Sequence, residues 1–140
     1  VRYHDRPTQP TEPSMLSLIA SVDAMGGLHE RDEIIGLMRE LLCLRRADAL
    51  AKAPECRGYA YELNEHERVL DHIERTRACW RVSDLAVGGR DVIEACGIAP
   101  GPAVGEALSR ALSAVMAGKV GNNREEILAW LSGSQNQTGR

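Results

Sequence analysis

Residues 85–108 carry two short helical patterns on either side of a turn that contains Gly97, Pro100, Gly101 and Pro102. This punctuation constrains the fold more than any other feature, because neither a long helix nor a continuous strand runs through it. Gly97 falls where a helix ends in a left-handed cap, and Pro102 fits the first turn of the next helix. Gly101 removes side-chain bulk just ahead of that start, so another backbone can approach the free N–H groups. An exposed helix N-terminus reached over glycine suits a phosphate oxygen. The local chemistry therefore points to a nucleic-acid backbone as ligand.

The rest of the chain repeats the pattern of short helices. Ser14 is placed to cap a helix over Met15, Leu16, Leu18, Ile19 and Val22, stopped by Gly26 and Gly27. A longer helix is predicted over residues 31–52, with Ile34, Ile35, Met38, Leu41, Leu42 and Leu50 forming one buried stripe. Pro54 and Gly58 bound a connector, and a helix over 59–80 follows, with Leu63, Val69, Leu70 and Ile73 inward. Its charges alternate in sign, as on a solvated face. Val104, Leu108, Leu112, Val115 and Met116 mark the helix that starts near Pro102, and Gly118 and Gly121 break it. Asn123, with Glu126 three residues on, has the form of a capping box for a last helix carrying Ile127, Leu128, Trp130 and Leu131. Hydrophobic residues make up 44% of the chain but aromatic ones only 4%, and Phe is absent. The core must therefore come from Leu, Ile, Val, Met and Ala, which favours helices over sheet. The predicted fold is all-α, a multi-helix array of short packed helices whose C-terminal part is hairpin-like. Residues 1–58 form one helical region, 59–81 a connecting helix, 82–132 a C-terminal helical region and 133–140 a disordered polar tail.

Several function classes drop out. No apolar run reaches the roughly 20 residues that span a bilayer, and no cationic-then-apolar leader opens the chain. Cys43, Cys56, Cys79 and Cys96 lie far apart without metal-ligand spacing, as expected for reduced thiols in a cytoplasmic protein. The net charge of −3 argues against indiscriminate nucleic-acid binding. Residues 1–74 hold 9 basic and 14 acidic residues, and residues 75–140 hold 8 and 6, so a polyanion should prefer the C-terminal half. Asp23, Asp32, Asp48, Asp71, Asp84 and Asp91 are scattered, with no paired carboxylates for magnesium and no Walker loop. Catalysis by the chain alone is not expected. His4-Asp5, with Asp48, is the single metal-like grouping, whereas His29, His66 and His72 stand alone on charged faces as structural or solvated groups. There is no initiator Met, and the opening residues suggest an internal start or a processed chain.

Taken in order, these pieces resemble a known family. Residues 85–93 and 97–108, then Leu112, Val115, Gly118, Asn123-Arg124-Glu125-Glu126, Leu128 and Leu131, are similar to the C-terminal region of bacterial tRNA nucleotidyltransferases, the CCA-adding enzymes and their poly(A) polymerase relatives. Upstream, residues 1–7 and 44–51 resemble the end of the HD-type domain found inside many of these enzymes. The resemblance implies a helical region that holds tRNA by its acceptor and T-arm side. A nucleotidyltransferase head, which uses Mg and ATP or CTP, would extend the 3′ end; its glycine-serine motif and paired carboxylates are absent from this sequence. No cofactor is expected in the chain itself. Its partners would be tRNA and, within one polypeptide, that head. His4, Asp5 and Asp48 would be remnants of an HD-like site rather than a working metal centre. Cys96 stands where a plain aliphatic residue is the rule, and Val87-Gly88-Gly89 is richer in glycine than the usual turn.

Within this frame Gly101, Ala103 and Val104 are candidates to present backbone N–H groups to RNA, Gly105 is a further RNA-binding candidate, and Arg90, Arg110, Lys119 and Arg124 supply charge. The plainer reading of Gly97, Gly101 and Gly105 is that they permit tight helix crossing. Two other classes stay open: a fragment of an HD-type metal-dependent phosphohydrolase, and a helical interaction module that forms a homodimer through Trp130 and Leu131.

Overall fold

A computed structural model of the chain describes residues 8–26, 30–52 and 54–138. All regular structure among them is helical, and the chain divides into two units between Ala78 and Cys79. The first unit holds α1 (Glu12–Asp23), α2 (Arg31–Ala51), a 3-10 turn (Pro54–Cys56) and α3 (Gly58–Thr76). The second holds a 3-10 turn (Val82–Asp84), α4 (Gly89–Cys96), α5 (Pro102–Met116) and α6 (Arg124–Thr138). Among the described residues no helix is long and apolar enough to cross a membrane.

In the first unit, α1 buries Met15, Leu16, Leu18, Ile19 and Val22, the predicted set. It starts earlier than a Ser14 cap would allow. Thr11 stands at the N-cap, its carbonyl accepting the Met15 N–H at 3.0 Å, while Ser14 Oγ accepts the Gln9 N–H at 3.0 Å. Pro13 is tolerated because N–H groups in a first turn lack helical partners anyway. α2 buries Ile34, Ile35, Met38, Leu41 and Leu42, then continues the stripe through Arg45 and Ala49. Leu50 is 52% exposed, one residue off that face, so Arg45 rather than Leu50 completes the stripe.

α3 packs against both α1 and α2 within this unit, where its sequence position suggests a connector. It buries Ala60, Leu63, His66, Leu70 and Ile73, and leaves Val69 half-buried. His66 is thus a core residue and does not lie on a charged face. Its Nε2 lies 2.7 Å from the Thr8 carbonyl oxygen and its Nδ1 3.1 Å from that of Glu62. The ring ties the segment before α1 to the middle of α3. The helix stops at Thr76 instead of running to Trp80. Arg77 takes a left-handed conformation (φ 51°), and the Ala78 N–H donates to the Ile73 carbonyl at 3.1 Å. A left-handed cap without glycine leaves no mark in the sequence, so helical periodicity alone runs past it.

The core of the second unit is Cys79, Leu85, Val87, Val92, Ala107, Ala111, Ile127 and Leu131. On α5 the buried positions are Val104, Ala107, Ala111 and Ala114, whereas Leu108, Leu112, Val115 and Met116 are half-buried. The alanines let neighbouring helices come close, and the larger residues pack around the edge. Trp80 is buried, and its N–H donates to Asp84 Oδ2 at 3.2 Å. α6 continues through Gly133 to Thr138, into the stretch whose composition suggests a polar tail.

His66→Leu keeps apolar volume but removes the hydrogen bonding of the ring nitrogens. It is expected to lower the unfolding free energy by about 1–3 kcal/mol, measured as a fall in the urea midpoint. An unchanged midpoint would show that the ring does not hold the Thr8 segment.

Candidate nucleic-acid interface

Every helix begins with N–H groups that have no helical partner and with a partial positive charge. In the second unit three such beginnings come together. A Cβ built on Gly89, the first residue of α4, would lie 3.2 Å from Val104 Cγ1 in the first turn of α5. Arg124, the first residue of α6, donates from Nε to Asp91 Oδ1 in the first turn of α4 at 3.0 Å, and its Nη2 lies 3.0 Å from the same oxygen as an ion pair. The N-termini of α4, α5 and α6 are therefore neighbours. Gly89 is the glycine that close packing requires here. Open space surrounds the Cβ positions of Gly97, Gly101 and Gly105, so tight helix crossing is not their role among the described residues.

Two of the three ends are closed by acidic or amide side chains. At α4, Asp91 Oδ2 accepts the Gly88 N–H at 2.9 Å. That bond, and after it the Arg124 guanidinium, hold the Asp91 carboxyl below the usual carboxylate range. At α6 one half of the predicted capping box forms, while the Asn123 N–H donates to the Gly121 carbonyl at 2.8 Å instead of to Glu126. Asn123 Oδ1 accepts the Glu126 N–H at 2.9 Å, and Glu126 accepts from Asn123 Nδ2 at 2.7 Å and from the Gly121 N–H at 2.8 Å. The Asn123 amide, followed by the Gly121 N–H, lowers the Glu126 carboxyl. Asn122 adds a cross-link, accepting the Ala86 N–H and donating to the Asp84 carbonyl, both at 2.9 Å.

The α5 end is different. Its first turn contains no acidic residue, and its N-cap, Gly101, offers no side-chain hydrogen bond, as Gly88 of α4 offers none, but here no carboxylate stands in. Gly101 sits at φ 150°, ψ −162°, a region essentially confined to glycine. Neither its N–H nor that of Ala103 meets an acceptor among the described residues. The Val104 N–H is already donated to the Gly101 carbonyl at 3.1 Å, and the Val104 side chain is buried, so this residue contributes packing rather than a free donor. Beyond the turn, Gly101, Gly105, Ser109, Ser113 and Ala117 follow at four-residue steps, all exposed. They form a low strip along the outer face of α5.

The candidate cations are all on the surface. Arg90, in the first turn of α4, Arg110 on α5 and Lys119 just after α5 are exposed and make no ion pair among the described residues. Arg124 is shared with Asp91 and acts first as a clasp between α4 and α6. The second unit contains six basic and six acidic residues. The positive balance expected of the C-terminal half vanishes at the structural boundary, because Arg75 and Arg77 belong to the first unit. His4, Asp5 and His29 lie outside the described residues. Asp48 pairs with Lys52 Nζ at 2.9 Å, and no group of three His, Cys, Asp or Glu residues among the described ones could hold a metal ion. Asp91, Asn122 and Gly89 were not among the sequence candidates. Their partners Arg124, Ala86 and Val104 lie far along the chain, whereas the Gly88–Asp91 bond is local.

The second unit is an all-α unit in which the α4 and α6 starts carry Asp91 and Asn123 with Glu126, and the α5 start carries no such side chain. The chain belongs to the family described as tRNA nucleotidyltransferase domain 2 (putative), whose model matches residues 42–131. It is 52% identical over 48 residues to the CCA-adding enzyme of Geobacillus stearothermophilus, a match covering 34% of this chain and 12% of that protein. The chain thus spans only a small part of the length of the curated relative it matches. No solved structure gives a significant match.

Because Asp91 and Glu126 are depressed in the folded state, they add stability at neutral pH that is lost as pH falls through and below the usual carboxylate range. Acid unfolding followed by circular dichroism should begin less steeply in an Asp91→Asn, Glu126→Gln variant, which is already less stable at pH 7. Identical acid profiles for variant and parent would contradict this assignment of the caps.

Proposed function

We propose that this chain is a tRNA-positioning part of a tRNA nucleotidyltransferase, with residues 82–132 holding the acceptor and T-arm side of tRNA. A catalytic head elsewhere in the protein, working with Mg and ATP or CTP, would extend the 3′ end. The reading is carried by the start of α5, which lacks a cap while its two neighbours are closed by Asp91 and by Asn123 with Glu126. Membership of the family supplies the class of nucleic acid.

Adding nucleotides without a template requires the protein to fix where the RNA sits. Contacts to phosphates do this without reading sequence. In this proposal the Gly101 and Ala103 N–H groups donate to phosphate oxygens, and Arg90, Arg110 and Lys119 neutralise the neighbouring backbone. Gly105 fits the same role. Glycine inside a helix costs about 1 kcal/mol relative to alanine, and nothing in the second unit packs against this one. A flat surface for an approaching sugar-phosphate chain would give it a purpose. Each helix-end contact contributes only about 0.3–1 kcal/mol, so the chain by itself should bind weakly.

Binding of tRNA, followed by fluorescence anisotropy at low salt, is expected to be weak and salt-sensitive. Arg90→Glu with Arg110→Glu should reduce affinity by about tenfold or more. Gly105→Ala should raise thermal stability yet weaken binding. Undetectable binding at low salt, or wild-type affinity in the double variant, would leave the helical region a spacer.

A further inference from the structure

The charges on α3 alternate along the sequence, but the fold sorts them. Asp71 and Glu74 both pair with Arg39 of α2, the former at 2.7 Å, and Glu67 pairs with Arg46 of α2 at 2.9 Å. The hydrogen bonds it donates to Asp71, then Glu74, hold the Arg39 guanidinium firmly in its charged form. The acids on that flank of α3 are thereby neutralised by α2. On the outward face beside them, Arg57, Tyr61, Arg68 and Arg75 follow at steps of four, seven and seven residues, all exposed, while Asn64 accepts from Arg46 of α2. These steps keep them on one helical face, about 27 Å long at a rise of about 1.5 Å per residue.

Arg57 and Arg75 make no ion pair among the described residues, and Arg68 pairs only with Glu65 on its own helix. A surface pair of that kind contributes about 0–1 kcal/mol, so it exchanges readily for another anion. Tyr61 is 75% exposed. Arg57 stands at the N-cap of α3, where a positive charge opposes the helix dipole. Folding alone favours neither residue there.

We propose that this outward face of α3 is a second contact surface for RNA, with Arg57, Arg68 and Arg75 on phosphates and Tyr61 stacked on an unpaired base. The combination of spaced guanidinium groups and an exposed aromatic ring is what a sugar-phosphate chain with accessible bases requires. The first unit as a whole is acidic, with 11 basic and 14 acidic residues. At physiological salt, however, exposed charges act over only about 8 Å, so the local strip decides what binds. The proposal rests on the reading that this chain holds RNA, but it concerns a different unit and different residues.

The test uses the whole chain with unfractionated tRNA across a salt series. Arg57→Gln with Arg75→Gln should flatten the slope of log affinity against log salt by about two, with the thermal midpoint unchanged. Tyr61→Ala should weaken binding about tenfold without changing the slope. Arg90→Gln with Arg110→Gln serves as comparator. Loss of binding in the comparator alone, with wild-type affinity and slope in both α3 variants, overturns the α3 surface and leaves the α5 reading standing. Weaker binding with an unaltered slope and a lowered thermal midpoint in the Arg57 and Arg75 variant assigns those arginines to folding and also overturns it. No binding by the parent chain defeats both readings.

Discussion

The second unit depends on how the unpaired N–H groups at three adjacent helix starts are satisfied. Asp91 serves α4 and at the same time, through Arg124, fixes where α6 begins. Glu126 and Asn123 close α6 and tie down the loop at Gly121. Gly89 lets the α4 and α5 starts approach within van der Waals contact. Three positive helix ends side by side would repel one another without the carboxylates between them. The one left open is the one whose glycines clear space in front of it. Stability thus draws on local electrostatics, with acids at the α4 and α6 starts and none at the α5 start, where the proposal puts a phosphate.

The first unit solves a related problem with charges. Arg39 and Arg46 of α2 meet the acids on one flank of α3, and a cation-bearing face of α3 is left outward. The alternating string from Glu62 to Arg77 becomes two distinct surfaces once wrapped on a helix. Within the same helix His66 is drawn into the core, where its ring nitrogens face the Thr8 and Glu62 carbonyls.

What was legible in the sequence is what local chemistry controls. The Gly97 cap, the Pro102 start and the Asn123 cap on the Glu126 N–H each involve residues a few positions apart, and each stands where its motif puts it, although Glu126 reaches Gly121 and the Asn123 amide instead of the Asn123 N–H. The apolar face of α1 is equally local in origin. The misses share a different cause. Arg77 ends α3 in a conformation usually reserved for glycine, so nothing in its identity announces the stop. Alanine is as common outside as inside, and the alanine face of α5 was therefore hidden behind the more conspicuous Leu108 and Leu112. The Asp91–Arg124 clasp joins residues 33 positions apart, which no spacing rule connects. Of the candidate site, the glycine turn and the exposed cations were visible, while the Val104 and Arg124 roles changed once their hydrogen bonds were known.

The central claim is that the open start of α5 is where RNA meets this chain. An amide NMR titration with tRNA tests it most directly, because it reports on individual N–H groups rather than on net charge. The account predicts that the Gly101, Ala103 and Gly105 amide signals shift or broaden first, while those of Gly88 and Glu126, already bonded to Asp91 and Asn123, stay in place. If the α5 amides remain unmoved while tRNA is bound elsewhere, the open helix start is not the binding site.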